Sequence, residues 1–264
     1  MGAPPAADGD DGFYVLDRRT YVPTILTQGP WDPGAQHGGP VSGLLATLVE
    51  STPSLVPMQV ARLTVDLLRP VPLAPLDVER QVVREGKRIQ VVDVQLLSGS
   101  DLVARASALR IRIGDDTAAI APAPGPVVPG PDHATAPEWS SPYVPGFRRA
   151  IELRVAAVPG GGSVLWVRLG VPIVVGARAS AVATLAVAAD FTSLQGSGEV
   201  ARRCAAINGD VNLHVLRAPR GPWVGLSGAT AFSSTGTGLS STVLCDLDGQ
   251  VGAASCVQVV DPRT

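Results

Sequence analysis

Lysine is almost missing from this chain. Of its 21 basic residues only Lys87 is a lysine, and the arginines are scattered with no run longer than two. No positive stripe is therefore available to neutralise a phosphate backbone, and a nucleic-acid partner is not expected. Cysteine is scarce as well. Cys204, Cys245 and Cys256 form no CxxC pair and cannot all be bridged, which fits a reduced, cytoplasmic interior. Aromatic residues make up 4% of the chain, so core volume must come from Val, Leu and Ala. The most apolar stretch, Val171 to Phe191, is interrupted by Arg178 and leaves too little to cross a bilayer, so no membrane span is expected. The start, Met1 to Gly12, places Asp8, Asp10 and Asp11 among Pro, Ala and Gly. That is the reverse of a signal peptide, and the segment is expected to be disordered.

What is present describes a globular protein. The chain has 264 residues, 45% of them hydrophobic and 17% charged, with a formal net charge of -2. That length allows one large domain or two small ones. Strand-length Val/Leu/Ile segments run over Arg62 to Arg69, Asp77 to Arg84, Arg88 to Leu97 and Leu102 to Ile113, separated by Glu85-Gly86 and Ser98-Gly99-Ser100-Asp101. They predict an antiparallel meander. Ahead of them His37-Gly38-Gly39-Pro40 opens a helix through Val41, Leu44, Leu45, Leu48 and Val49 that Pro53 stops.

The stretch from 114 to 145 is dense in Pro, Ala and Gly and reads as a linker. After it the plan repeats, with a helix over Ala177 to Asp190 and strands over Asp210 to Arg217, Trp223 to Phe232, Gly238 to Leu247 and Val251 to Val260. Val65 to Pro70 matches Leu213 to Ala218, Asp101 to Ala106 matches Gln250 to Ser255, and Leu45 to Glu50 matches Leu185 to Asp190, in the same order. The expected organisation is a disordered 1–12, a first unit over 13–113, the linker over 114–145 and a second unit over 146–264, each unit a helix plus a meander.

Several chemistries are missing from the sequence. Gly225-Leu226-Ser227-Gly228-Ala229 does not supply the serine-hydrolase elbow. Gly160-Gly161-Gly162-Ser163 lacks the helix start and Lys of a phosphate loop and reads as a hairpin turn. His37, His133 and His214 are far apart with no metal-ligand spacing, so neither a metal nor a cofactor is expected. What remains is His37-Gly38-Gly39 at a helix start. Two glycines there let a ligand approach free amides and the positive end of the helix dipole, which is what polarising a thioester carbonyl requires; a plain tight turn into a buried helix accounts equally for the spacing.

These residues resemble the double-hotdog acyl-CoA thioesterases, including bacterial acyl-CoA thioesterase II. The resemblance rests on Trp31 to Pro40, on Ala188-Ala189-Asp190-Phe191, on Ile207 to Arg217 and on Ala253 to Val260. It covers nearly the whole chain outside its first dozen residues and the linker. It implies an α+β fold of two tandem hotdog domains, each a long helix wrapped by an antiparallel β-sheet, and further association into a homo-oligomer. It also implies an acyl-CoA substrate, hydrolysed by water that an Asp, a Thr and a Gln of the second domain hold. Asp190 falls on the Asp position and Gln258 on the Gln position, while the Thr position carries Asn208, whose amide can still hold a water. His37, Gly38 and Gly39 are the expected substrate-binding residues. In the first copy Glu50 stands opposite Asp190 and Leu109 opposite Gln258, so one active site per chain is expected. The acid that single-domain hotdog enzymes place nine residues after this histidine is here Ala46.

Asn208 in place of Thr keeps open a second reading, a non-catalytic hotdog protein that binds acyl thioesters or serves as an assembly partner. A hotdog hydratase, with Asp32 as a partner for His37, ranks behind both.

Overall fold

The computed structural model describes residues 11–114, 125–137, 145–177, 180–195, 200 and 203–262. Thirteen strands and three α-helices appear among them. Strands β1 (Tyr14–Asp17) and β2 (Thr20–Pro23) form a hairpin that precedes helix α1 (Gly38–Glu50). Strands β3 (Met58–Leu67), β4 (Asp77–Arg84), β5 (Ile89–Ser98) and β6 (Asp101–Arg112) follow. Beyond the Pro-rich stretch come helix α2 (Gly146–Arg149), strands β7 (Ile151–Ala157) and β8 (Ser163–Leu169), and helix α3 (Ala181–Ala189). The chain closes with β9 (Cys204–Asn208), β10 (Asp210–Val215), β11 (Trp223–Phe232), β12 (Thr237–Asp246) and β13 (Gly249–Pro262).

Eleven of these strands make one sheet in the order β4-β5-β6-β3-β10-β13-β12-β11-β8-β7, with β9 added beside β13. Every named strand pair in it is antiparallel. The two halves meet at the β3–β10 pair, where Leu63 stands opposite Leu213. The two matched segments of the sequence thus become neighbouring strands. On either side the order mirrors itself, with β6, β5 and β4 flanking β3 as β13, β12 and β11 flank β10. The hairpins that precede the helices differ. β7–β8 joins the sheet through β11, whereas β1–β2 lies beside the start of β4, where Tyr21 is bridged to Leu76 and the Thr20 hydroxyl donates to Asp77.

Helix α1 begins where His37 caps it by accepting the Gly39 amide, and ends where Ser51 and Thr52 return their hydroxyls to Leu48 O. Val41, Leu44, Leu45, Leu48 and Val49 are fully buried, each worth about 1.5–3 kcal/mol of removed apolar surface. Helix α3 starts at Ser180, whose hydroxyl accepts the Ala183 amide. The two helices cross at Gly43, where a Cβ would lie 2.7 Å from Val187 Cγ2 and 2.8 Å from Ile173 Cδ1. Glycine and the alanines of α3 permit that approach, and one continuous core joins both halves.

The expected strands and helices are all present, with ends shifted by a few residues. The predicted turn at 160–162 joins β7 to β8, with positive φ at all three glycines. Of the expected disordered start, residues 1–10 lie outside the described residues, while Gly12 is packed against Pro172 and Val175. Of the expected linker, residues 115–124 and 138–144 lie outside them. The described part, 125–137, runs along the second half, where Thr135 bridges Val155 and the Trp166 indole donates to Pro129 O. No described helix is long and apolar enough to cross a membrane.

Candidate functional site

Asp190 is the C-cap of α3 and the first residue of a short 3-10 turn through Leu194. Helix ends leave carbonyls without partners and are electrostatically unfavourable for a carboxylate. Two contacts offset this. Asn208 donates its amide both to Asp190 O at 2.9 Å and to Oδ1 at 2.8 Å, satisfying an orphan carbonyl and a carboxylate oxygen together. The carboxylate also lies at the positive start of α1, from the other half of the chain. A Cβ on Gly38 would come within 2.6 Å of Oδ1, so only glycine leaves room for it. Asp190 is 4% exposed.

Asn208 stands at the end of β9, directly opposite Gln258 of β13. Between β9 and β10 the chain steps at Gly209, whose amide donates to Val257 O and whose carbonyl accepts from Leu67 N. Asp210 Oδ1 holds the Val257 amide just beyond. Asn208, just before the step, reaches Asp190 at the end of α3. Gln258 is 2% exposed, and its Oε1 accepts from Ser240 at 3.3 Å. Gln258 Nε2 and Asn208 Oδ1 have no protein hydrogen-bond partner. A buried donor and a buried acceptor left over beside a carboxylate make a setting for a small polar molecule.

His37, Gly38 and Gly39 complete the group. Nδ1 of His37 lies 2.8 Å from Asp190 Oδ2. Its ring packs at a tilt against Phe147, 4.3 Å away between centroids, and Phe191, 5.5 Å away. Gly39 is needed for the same packing, since a Cβ there would stand 3.0 Å from Phe147 Cζ. Asp32, the expected alternative partner of His37, instead accepts the Gly34 amide in a local turn. All six sequence-predicted site residues therefore converge.

The sequence reading missed the shell around them. Ser240 and Thr230 hydroxyls stand 2.6 Å apart, Thr230 donates to Gln195 O, and Thr192 and Thr242 share a buried hydrogen bond at 2.9 Å. The only available signal was adjacency, since Phe191 and Thr192 directly follow Asp190. Cys256, on the same strand as Gln258, has its thiol pushed up to about 12 by burial and by the charge of Asp190. It stays neutral and is no nucleophile. Among the described residues no group of His, Cys, Asp and Glu could hold a metal.

The counterpart in the first half is built differently. Glu50 ends α1 as Asp190 ends α3, and it interacts with Ser180 at the start of α3, as Asp190 does with the start of α1. Arg110 occupies this region, buried and donating to Thr52 O and Gln90 Oε1. Burial raises the Glu50 pKa, and Ser180 and Arg110 oppose the rise.

Two family models match the chain. The model for the acyl-CoA thioesterase N-terminal domain matches residues 27–111, and that for the acyl-CoA thioesterase C-terminal domain matches 123–260. The chain belongs to the acyl-CoA thioesterase family. As an acyl-CoA thioesterase family member it shares its fold with a putative thioesterase from Novosphingobium aromaticivorans, at TM-score 0.75 and 22% identity over 94% of this chain and 98% of that one. A putative thioesterase II from Thermobifida fusca gives TM-score 0.73 and 15% identity over 95% and 96%. A hot dog fold protein of unknown function from Alicyclobacillus acidocaldarius gives 0.73 and 18% over 98% and 99%. At these identities the likeness is one of fold. A comparison with curated proteins gives no match.

Proposed function

We propose that the chain hydrolyses an acyl-CoA to the free acid and CoA, using water held by Asp190, Asn208 and Gln258. The observation that carries this reading is the meeting of Asp190 from one half with the helix start at Gly38 from the other, beside the unpartnered Asn208 Oδ1 and Gln258 Nε2. The leftover donor and acceptor orient the water, and Asp190 accepts its proton as the oxygen attacks the thioester carbonyl. Amides at the start of α1, Gly38 and Gly39, face the carbonyl oxygen as it becomes negative. The C–S bond then breaks, and the thiolate takes the proton from Asp190. Asn208 serves in place of a threonine because one amide nitrogen holds Asp190 twice while Oδ1 remains available.

In this reading the molecule is two hotdog domains fused in tandem, over 13–113 and 146–264. The mirrored strand order and the contact of α1 with α3 support it. One active site per chain follows, because Glu50 and Arg110 occupy the opposite position. Thiol release from a panel of acyl-CoAs tests the reaction: hydrolysis supports it, and saturable binding with no thiol released favours the non-catalytic alternative.

A further inference from the structure

We propose that Nδ1 of His37 is a two-position proton switch that couples Asp190 to the backbone amide of Gly39. The inference rests on the hydrolytic reading above and adds a positioning residue to it. Nδ1 lies 3.1 Å from the Gly39 nitrogen and 2.8 Å from Asp190 Oδ2. One nitrogen cannot serve both. A bare Nδ1 accepts from Gly39 but turns its lone pair toward a carboxylate, whereas a protonated Nδ1 donates to Asp190 and leaves Gly39 N–H without its cap. The ring is packed at this junction against Phe147 and Phe191, which also stack on each other with centroids 5.7 Å apart. The absent side chain of Gly38 brings the carboxylate up to it. At rest Nδ1 is bare and accepts from Gly39; a proton taken up by the pair lies between Nδ1 and Oδ2 and resolves the contact.

During hydrolysis that proton arrives from the water. The water oxygen bonds to the carbonyl carbon, the π pair moves to the carbonyl oxygen, and the released proton passes through Asp190 to Nδ1. Gly39 N–H loses its acceptor at the moment an oxyanion appears beside the helix start, and donates to it. When the C–S bond breaks, the thiolate recovers the proton through Asp190 and Gly39 N–H returns to Nδ1. The donor is offered to the transition state and withheld from the ground state, which is the condition for raising kcat. Other titratable groups near the pair are few among the described residues. β13 brings Cys256, neutral through burial, with Asp210 beyond it, and α2 brings Phe147, followed in sequence by Arg148.

NMR of the full chain, following the Gly39 amide and the His37 ring nitrogens through a pH titration, tests the coupling directly. The Gly39 amide shift should move with the same midpoint as Nδ1 protonation. In His37→Asn, Oδ1 can cap Gly39 while Nδ2 donates to Asp190, so both contacts persist without a shared proton. That variant should lose about 100-fold in kcat with little change in KM or Tm, whereas a merely structural histidine would be rescued. Wild-type kcat in His37→Asn, or a Gly39 amide indifferent to His37, overturns the switch. If no acyl-CoA releases thiol yet Gly39 still follows His37, the hydrolytic reading falls and the coupling stands.

Discussion

Replacing Gly38 by alanine adds one methyl group at a position whose backbone needs no glycine conformation. In an ordinary helix the change stabilises by about 0.5–1 kcal/mol. Here the new Cβ would sit 2.6 Å from Asp190 Oδ1, 3.0 Å from Oδ2 and 3.1 Å from Cγ. Restoring van der Waals contact requires the carboxylate to retreat by about 1 Å, a displacement that can cost about 100-fold in rate when the group is a positioned base. The expected outcome is therefore a drop of about 100-fold in kcat, with Tm within about 3 °C of wild type because helix propensity offsets the local strain. Thiol release under substrate saturation gives the first quantity and a thermal melt the second. The effect should vanish in an Asp190→Ala background, where no carboxylate is left to displace. Wild-type turnover in Gly38→Ala, or an undiminished loss in the Asp190→Ala background, would refute the assigned geometry.

Other consequences are more local. Gln258→Ala removes the buried, unpartnered Nε2 donor of the residue opposite Asn208, and kcat should fall by about 100-fold while the urea midpoint moves little. Glu50→Gln should leave turnover unchanged and stabilise at pH 7: burial raises the Glu50 pKa, so its ionised form costs stability as pH rises, and the neutral amide escapes that cost. Asp246 is opposed by burial. Hydrogen bonds from Arg217 and from the amides of Arg220 and Asp248, with the Arg217 charge, outweigh that cost and bring it down to about 2. Its stabilisation is present above 3.8 and lost as pH falls toward 2, about 2 kcal/mol in all. Urea midpoints between pH 5 and 2 should show a steeper decline in wild type than in Asp246→Asn.

The sequence carried the site further than it carried the fold around it. Asp190 and Gln258 were reached through the family resemblance, and the first copy, with Glu50 and Leu109 at the matching positions, limited the expected pair to one half. His37 was legible as a helix cap, and it is one. Its contact with Asp190 was not, because it joins the start of one half's helix to the end of the other's, and no local periodicity records that meeting. β9 was missed for a different reason: five residues after a polar stretch look like a loop, and its strand character comes from pairing with the far half of β13. α2 was hidden by its length of four residues, although it supplies the Phe147 ring that fixes His37. β1 and β2 have four residues each, β1 exposed after Tyr14 and β2 half-buried throughout, so they show no clean alternation.

The account stands most directly on the turnover of Asp190→Asn beside wild type, each assayed for CoA release from the acyl-CoA that wild type cleaves fastest. The amide keeps the shape of the carboxylate and removes its capacity to take a proton. The account requires kcat to fall by at least about 100-fold with the fold intact. An Asp190→Asn protein that turns over at the wild-type rate would contradict it.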